Sequence, residues 1–270
     1  MNSTCRTFRR AAGFLPLLLF LIACTGGEKS EQIDPLIDPG AVDPFEQAKG
    51  DLLYKNPMSD SVLMADWVME GPGQLEFKDS WMHMHAHDWH WIQWISTPGH
   101  HVFWCPMDFP DRFIAEWQAQ NIKPKAGLCI VFFAAQGVNS RSIFNPALPE
   151  RQGRFKSYIN GRINNYHISY YANAPHNPDR RRSHLRKNSG FHLAQIGYEG
   201  IPTASKRIHH MKLIKDGGHI VMYVDHRCII DWTDDGQIAG PMLRNGKIGF
   251  RQMRWSHFRY RDFKVWSIKD

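Results

Sequence analysis

The chain has 270 residues, 15 histidines and a formal net charge of +7 at pH 7. Its positive charge is too sparse for the dense basic stripe of a nucleic-acid-binding protein, so no nucleic-acid partner is expected. Its five cysteines show no paired spacing, which argues against a disulfide framework. A mildly basic, histidine-rich surface instead favours an anionic partner.

The first residues are typical of an export signal. Three arginines precede an apolar run at 14–22 that is too short to cross a bilayer. The run ends in Leu21-Ile22-Ala23-Cys24, which resembles a bacterial lipobox. Residues 1–23 are therefore predicted to be a signal peptide and Cys24 an acylated N-terminus. The alternatives are an ordinary signal peptide cut near Ala23 or a short uncleaved anchor. Thr25, in place of Asp, favours the outer membrane of the envelope, on either face.

The segment 24–45 holds three Asp-Pro steps and little apolar content, which predicts a flexible tether. The remainder, 46–270, predicts one domain, because short strand-like runs recur between turn residues. A polar stretch at 174–188 is predicted to be a loop, and 111–120 fits a helix or a strand. Few helices and many strands favour an all-β jelly-roll sandwich. The predicted strands are 75–77, 81–85, 101–105, 113–119, 127–135, 165–173, 190–196, 209–215, 219–224, 247–251 and 258–268.

Several separated motifs carry a family resemblance. They are YHISYYAN at 166–173, HLRKN at 184–188, GFHL at 190–193, HVFWCP at 101–106 and GKIGFRQM at 246–253. With these motifs the chain resembles the YesU-like family of unknown function, within the concanavalin A-like lectin and glucanase superfamily. The resemblance implies two antiparallel sheets with a concave face and a link to polysaccharide breakdown. It also implies that a structural Ca²⁺ is possible, as in some relatives.

Retaining glycosidases need two neighbouring carboxylates. Glu116 has no acidic neighbour on its predicted strand face, which disfavours a hydrolase and leaves Glu116 as a candidate sugar contact. The run at 166–173 instead places His167, Ser169, Tyr171 and Asn173 on one face by simple alternation. An arginine-rich stretch follows it directly.

Histidine, tyrosine, arginine and asparagine are the groups that β-elimination from a uronic acid requires. A cation or amide must neutralise the carboxylate before the neighbouring C5 proton can leave, and an acid/base pair must move protons. The hypothesis assigns the acid/base pair to His167 and Tyr171. Arg186, with Asn173, neutralises the carboxylate, and His184 assists. The enzyme would be a polysaccharide lyase or an oligosaccharide dehydratase, and neither needs a cofactor.

Further predicted substrate contacts are His101, Trp104, Glu116, Asn173, Arg181, Lys187 and Arg251. The alternatives are that His167 and Tyr171 are half-buried sheet residues, that the arginine run is a solvated loop, and that Arg251 forms a buried salt bridge with Asp262. A non-catalytic, lectin-like protein is the alternative function. His83, His85, His87 and His90, with Asp88, suit either a metal or a sugar-facing surface; no metal site is predicted.

Overall fold

The computed structural model describes residues 44–86, 99–124, 127–173 and 178–269. A strand lies at every one of the eleven predicted runs, because alternating apolar residues pack one strand face inwards. The strands are β1 Lys49–Asn56, β2 Val68–Glu70, β3 Gly73–Lys78, β4 Trp81–Ala86, β5 His101–Trp104, β6 Arg112–Asn121, β7 Gly127–Gly137, β8 Ile163–Asn173, β9 Arg182–Asn188, β10 His192–Glu199, β11 Ile208–Asp216, β12 His219–Val224, β13 Arg227–Thr233, β14 Lys247–Gln252 and β15 His257–Ile268. Short α-helices span Pro44–Gln47 (α1) and Lys156–Ile159 (α2), and 3₁₀ turns span Val138–Ser140 and Pro178–Arg181.

Two antiparallel sheets form the sandwich. Sheet 1 has the order β13-β12-β11-β6-β15-β4-β3, and β1 also pairs with β15. Sheet 2 has the order β10-β9-β8-β7-β14-β5-β2. The predicted all-β jelly roll of two antiparallel sheets is therefore confirmed.

The polar stretch predicted as a loop at 174–188 contains β9, so that part of the prediction is wrong. Its inward positions, Ser183, Leu185 and Lys187, are buried, and its outward positions carry His184 and Arg186. Because one inward position is a lysine and another a serine, hydrophobic alternation does not reveal the strand. The strand is held from both sides, by β8 and β10.

The main core lies between the sheets and is rich in aromatic and sulfur-containing side chains. Sheet 1 contributes Met82, Trp117 and Tyr260, and sheet 2 contributes Phe133 and Phe250. Burial of such side chains supplies most of the driving force for folding.

A second apolar cluster covers part of the outer face of sheet 2. There Val102, Trp104, Ile130 and Phe132 pack against Tyr158, which the segment after β7 carries across the sheet. This cover closes the middle of the outer face and positions the site described below.

No helix in the described parts of the chain is long and apolar enough to cross a lipid bilayer. The predictions for Cys24, for the signal peptide and for most of the tether lie outside the described residues. So do His87, Asp88 and His90.

Candidate functional site

Strand register aligns outward-facing residues in two rows across the outer face of sheet 2. The first row runs through His184, Ser169, Ile130, Arg251, Val102 and Glu70. The second runs through Arg186, His167, Phe132, Gly249, Trp104 and Val68. Neighbouring strands lie about 4.8 Å apart. The basic residues of β9 and β14 are three strands apart, so their backbones are separated by roughly 14 Å.

Arg251 lies in the first row and is only 2% exposed. Its guanidinium donates to the carbonyl of Gly153 at 3.1 Å and lies over the rings of Phe155 and Tyr158, at 4.8 and 5.3 Å. Burial lowers the pKa of Arg251 to about 10. The predicted alternative, a salt bridge to Asp262, does not occur: Asp262 lies 3.6 Å from Arg261.

Arg186 and Arg180 complete what we call the arginine cluster (Arg180, Arg186 and Arg251). Arg186 donates to the carbonyl of Phe191 at 2.8 Å and lies 3.8 Å over that ring. Burial lowers the pKa of both Arg186 and Arg180, and the charge of Arg180 adds to the effect on Arg186. Among the residues that the structure describes, no carboxylate offsets any of these three charges. Buried cations normally have a partner, so the cluster is short of negative charge.

His167 lies between the arginines and is enclosed by aromatic rings. The centroids of Phe132, Phe155 and Phe191 lie 5.4, 5.9 and 5.9 Å from its own, and it is 2% exposed. Burial, and then the positive charges of Arg186, Arg251 and His184, lower its pKa to about 3. His167 is therefore neutral at physiological pH.

A chain of hydrogen bonds fixes which nitrogen of His167 carries the proton. Asn165 donates its amide to the carbonyl of Tyr158 at 2.9 Å, so its side-chain oxygen must accept. Asn188 donates to that oxygen and to Nδ1 of His167, each at 2.8 Å. Nδ1 is therefore the acceptor, and the proton lies on Nε2. In this form His167 is a donor rather than a base.

His184 lies on β9, opposite Ser169 of β8 in the register. Its backbone amide donates to the Ser169 hydroxyl at 3.1 Å. The structure thus brings together four predicted residues: His167, His184, Arg186 and Arg251. Predicted Arg181 is exposed at the end of the 3₁₀ turn before β9.

Tyr171 does not join them, and its predicted orientation is wrong. The pairing of β8 with β7 shifts between Ser169 and Tyr171. This β-bulge reverses the alternation, so Tyr171 faces the core between the sheets, 2% exposed and edge-on to Phe258 at 5.0 Å. Burial raises its pKa. Asn173 follows the same reversal and hydrogen bonds to Tyr171.

Glu116 and Lys187 are also absent from this face. Glu116 points outward from sheet 1, where Lys49 and Lys212 lie 2.8 and 2.9 Å from its carboxylate. Lys187 points inward, 1% exposed, and pairs with Asp234 at 2.7 Å. Both predictions failed because sequence alone does not say which sheet, or which face, a strand presents.

Two further predicted residues are buried. His101 faces the core together with Phe103 and Cys105. The predicted alternation along this strand is correct, but the face that carries His101 points into the core and not towards a ligand. Burial lowers the pKa of His101 to about 4. Trp104 faces outward, yet it is fully buried beneath Tyr158 and against Phe132. Neither offers a surface to a ligand in this conformation.

His83 and His85 lie on the outer face of sheet 1, where His257 from β15 joins them. The nitrogens of His83 and His257 are 3.1 Å apart, and His85 lies 3.2 Å from Glu76. Within the described ranges, no group of three or more ligating side chains forms a metal site. Asp234 and Asp111, which could ligate a structural Ca²⁺, are each paired with a lysine, Lys187 and Lys215.

A groove of about 920 Å³ lies elsewhere, between β2 and the 143–152 segment at the edge of sheet 2. The ion pair of Arg151 with Glu70 lies at its wall, and Tyr158 donates to Glu70 at 2.8 Å. In this groove the charge of Arg151 is already balanced by Glu70, and Glu150 adds a further negative charge. The arginine cluster, whose charges are not balanced, is the better candidate for a binding site.

Known proteins resemble this chain in both sequence and fold. A model of the family described as "Domain of unknown function (DUF1961)" matches residues 51–265. The chain belongs to this family. The uncharacterized protein YesU of Bacillus subtilis (strain 168) is 40% identical over 221 residues, which are 80% of this chain and 96% of that protein. The predicted YesU-like resemblance is confirmed.

Solved structures agree on the fold. A protein of unknown function with a galectin-like fold from Bacillus subtilis is 38% identical, with a TM-score of 0.75 over 82% of this chain and 99% of that one. The exoplasmic/lumenal domain of VIP36, in a Ca²⁺/Man3GlcNAc-bound form, is 9% identical, with a TM-score of 0.54. It covers 82% of this chain and 92% of that domain. The DUF1961 chain therefore has a galectin-like sandwich fold.

Several residues of the site were missed from sequence. Asn188 sets the His167 tautomer, and Phe155 and Phe191 enclose the ring. Asn188 lies inside a family motif, so recognition of β9 as a strand would have placed it beside His167. The two phenylalanines come from connecting segments, whose path across a sheet has no periodic signature.

Proposed function

We propose that this protein binds a carbohydrate that carries carboxylate or sulfate groups, on the outer face of sheet 2. The observation that carries the proposal is the arginine cluster, whose three guanidinium groups have no carboxylate partner among the described residues. A guanidinium binds carboxylate or sulfate through two parallel hydrogen bonds. An anionic ligand would thus supply the missing charge.

The layout of the face favours a saccharide over a small inorganic anion. The cationic positions are spread over roughly 14 Å of sheet, and aromatic rings, Phe155 and Phe191, lie between them. Alternating apolar faces and charged groups suit sugar rings that carry acidic substituents. VIP36, whose sandwich this chain resembles, is described in a Ca²⁺/Man3GlcNAc-bound form, which supports a saccharide ligand.

The test is calorimetric titration of the purified protein with pectic, alginate, glycosaminoglycan and ulvan-type oligosaccharides, and with neutral counterparts of matched length. Binding restricted to the anionic members is expected. Arg186→Gln should weaken it at least ten-fold, because an ionised hydrogen bond contributes about 1.5–3 kcal/mol. Arg207→Gln, which removes the same charge from a side chain 77% exposed on the far sheet, is the matched control. Equal losses in the two variants would reduce the effect to overall charge and contradict the proposal.

A second candidate function is β-elimination at this site, since two imidazoles and a guanidinium share the outer face of β8 and β9. Arg186 would neutralise the uronate carboxylate. His184 would take the C5 proton as the C4–oxygen bond breaks and would pass a proton to the departing oxygen, while Nε2–H of His167 would donate a hydrogen bond to the carboxylate on which negative charge develops. Tyr171 has no part in this version. The products would be a C4=C5 unsaturated uronate and an alcohol or water.

The same titrations separate the two functions when ultraviolet absorbance is recorded. Rising absorbance from an unsaturated uronate, abolished by His184→Ala, supports elimination. Stable binding without product over a day supports a lectin-like role, and new reducing ends without absorbance would indicate hydrolysis and contradict both.

We also propose that the chain is held at the cell envelope through acylation of Cys24, in line with the lipobox-like residues before it. Mass spectrometry of the mature N-terminus should show a lipid-modified Cys24, and Cys24→Ser should move the protein to the soluble fraction. An unmodified N-terminus near Ala23 would contradict the anchor.

A further inference from the structure

We infer that the turn between β14 and β15 forms a second sugar subsite, in which Trp255 stacks on a ring and Arg254 binds its acidic group. This inference rests on the proposed function and deepens it. It makes the ligand an oligosaccharide of at least two units, with one acidic unit at the arginine cluster and another unit at the turn.

Among the tryptophans that the structure describes, only Trp255 is largely exposed, at 49%. The tryptophans of the main core, Trp67 and Trp117, are 6% and 1% exposed. Arg254 lies 4.6 Å over the Trp255 ring, which holds the indole in place while about half of the residue stays exposed. A fixed, exposed indole beside a cation suits a sugar acid. The apolar face of the sugar ring can stack on the indole, and the acidic group can bind the cation.

An unbroken series of contacts joins this turn to Arg251. The backbone amide of Arg254 donates to Nδ1 of His100 at 3.4 Å. The carbonyl of His100 lies against Gly153, whose own carbonyl accepts the hydrogen bond from Arg251. Gly153 has a φ of +73° and no room for a side chain, so the backbone can pass between His100 and Arg251. The turn is therefore joined by packing, through His100 and Gly153, to Arg251.

The turn is also held rigidly. A side chain at Gly99 would lie 2.6 Å from Cβ of Arg254, so the chain before β5 packs directly on the turn. Burial, and then repulsion from the charges of Arg251 and Arg254, lower the pKa of His100 to about 4. His100 is thus a neutral spacer between two cations. Arg254 makes no ion pair with any residue that the structure describes and, unlike Arg251, it is not buried, so its charge remains available to an anion.

The experiment compares binding of acidic monosaccharides (galacturonate and glucuronate) with their di-, tri- and tetrasaccharides from pectin, alginate and glycosaminoglycan. In the wild type, affinity should rise from the monomer to the dimer. In Trp255→Ala this rise in affinity should be roughly ten-fold smaller, because stacking on the indole buries about 60 Å² of apolar surface. Binding of the monomer should not change. Arg254→Gln should reduce the rise for acidic dimers but not for their methyl esters. Ile208→Ala, an exposed apolar side chain on sheet 1, is the control.

The outcomes separate this inference from the proposed function. If monomer binding depends on Arg251 but the gain with length is the same in Trp255→Ala, the second subsite is wrong and the proposed function survives. If Arg251→Gln changes no binding, or no acidic saccharide binds at all, the proposed function fails and the subsite with it. Retention of the length gain in Trp255→Phe but not in Trp255→Ala supports stacking.

Discussion

Replacement of Arg251 by glutamine tests whether the arginine cluster serves binding or folding. Glutamine removes the positive charge and retains an N–H that can donate to Gly153. If the guanidinium is a structural element, its loss destabilises the fold. If it is kept for a ligand, the fold should tolerate its loss while binding does not.

The magnitudes follow from the surroundings of Arg251. Burial lowers its pKa from 12.5 to about 10, so the charged form is disfavoured in the folded protein by about 3 kcal/mol. One charged hydrogen bond stabilises the charged form in the folded protein by about 1.5–3 kcal/mol. The contacts with Phe155 and Tyr158 stabilise it by about 1–2 kcal/mol. These contributions nearly cancel. We therefore expect the free energy of unfolding of Arg251→Gln to lie within about 1 kcal/mol of the wild type.

Ligand binding should respond quite differently. Removing one partner of a buried charged pair costs about 2–5 kcal/mol, so about 3 kcal/mol corresponds to roughly a 100-fold weaker Kd. Urea unfolding measures stability, titration with the acidic saccharide measures binding, and Arg207→Gln controls for net charge. A loss of stability above about 3 kcal/mol with affinity retained would refute the reasoning and make Arg251 a support for the 153 segment.

Three further predictions follow. Tyr171→Phe should leave binding and any turnover unchanged, because the side chain faces the core; a ten-fold loss of either would show that the ring reaches the ligand. His101 and His167 have folded-state pKa values of about 4 and about 3, below the ordinary 6.5. The unfolded chain therefore takes up protons first as the pH falls through 6.5, and each histidine should cost about 2 kcal/mol of stability by about pH 5. Urea unfolding at about pH 7.5 and 5 measures this, and a stability independent of pH would contradict it. Lys187→Met leaves Asp234 buried without its cation and should destabilise by about 3–5 kcal/mol, whereas adding Asp234→Leu should recover part of the loss in the same unfolding assay.

Sequence patterns predicted the strands well where apolar residues alternate over a whole segment. They failed at β9, because lysine and serine occupy inward positions there, and they also missed β1, β2 and β13. An inward lysine is possible only because Asp234 meets it from a distant part of the chain, and no local pattern reveals such a partner. The short strand β2 was missed for a related reason, since three residues carry too little periodicity to detect.

The candidate site was predicted only in part, and the bulge in β8 explains the main error. The alternation of strand faces predicts the side-chain directions correctly as far as Ser169. The bulge then adds one residue, so Tyr171 points into the core and Ala172 points outward. Bulges carry no reliable local signature. The burial of Arg251 and its contact with Gly153 depend on tertiary packing. The sequence therefore predicted Arg251 as a ligand contact, but not that its charge lacks a carboxylate partner.

The three-residue strand β2 has a bearing on how copies of this protein behave when crowded together. Strands at the rim of a sheet expose unpaired amides and carbonyls that can recruit a strand from another molecule. Here that rim is short, Pro72 lies two residues beyond it, and Arg151 anchors the 143–152 segment to Glu70 beside it. The β2 edge is thus protected from pairing with a strand of another molecule.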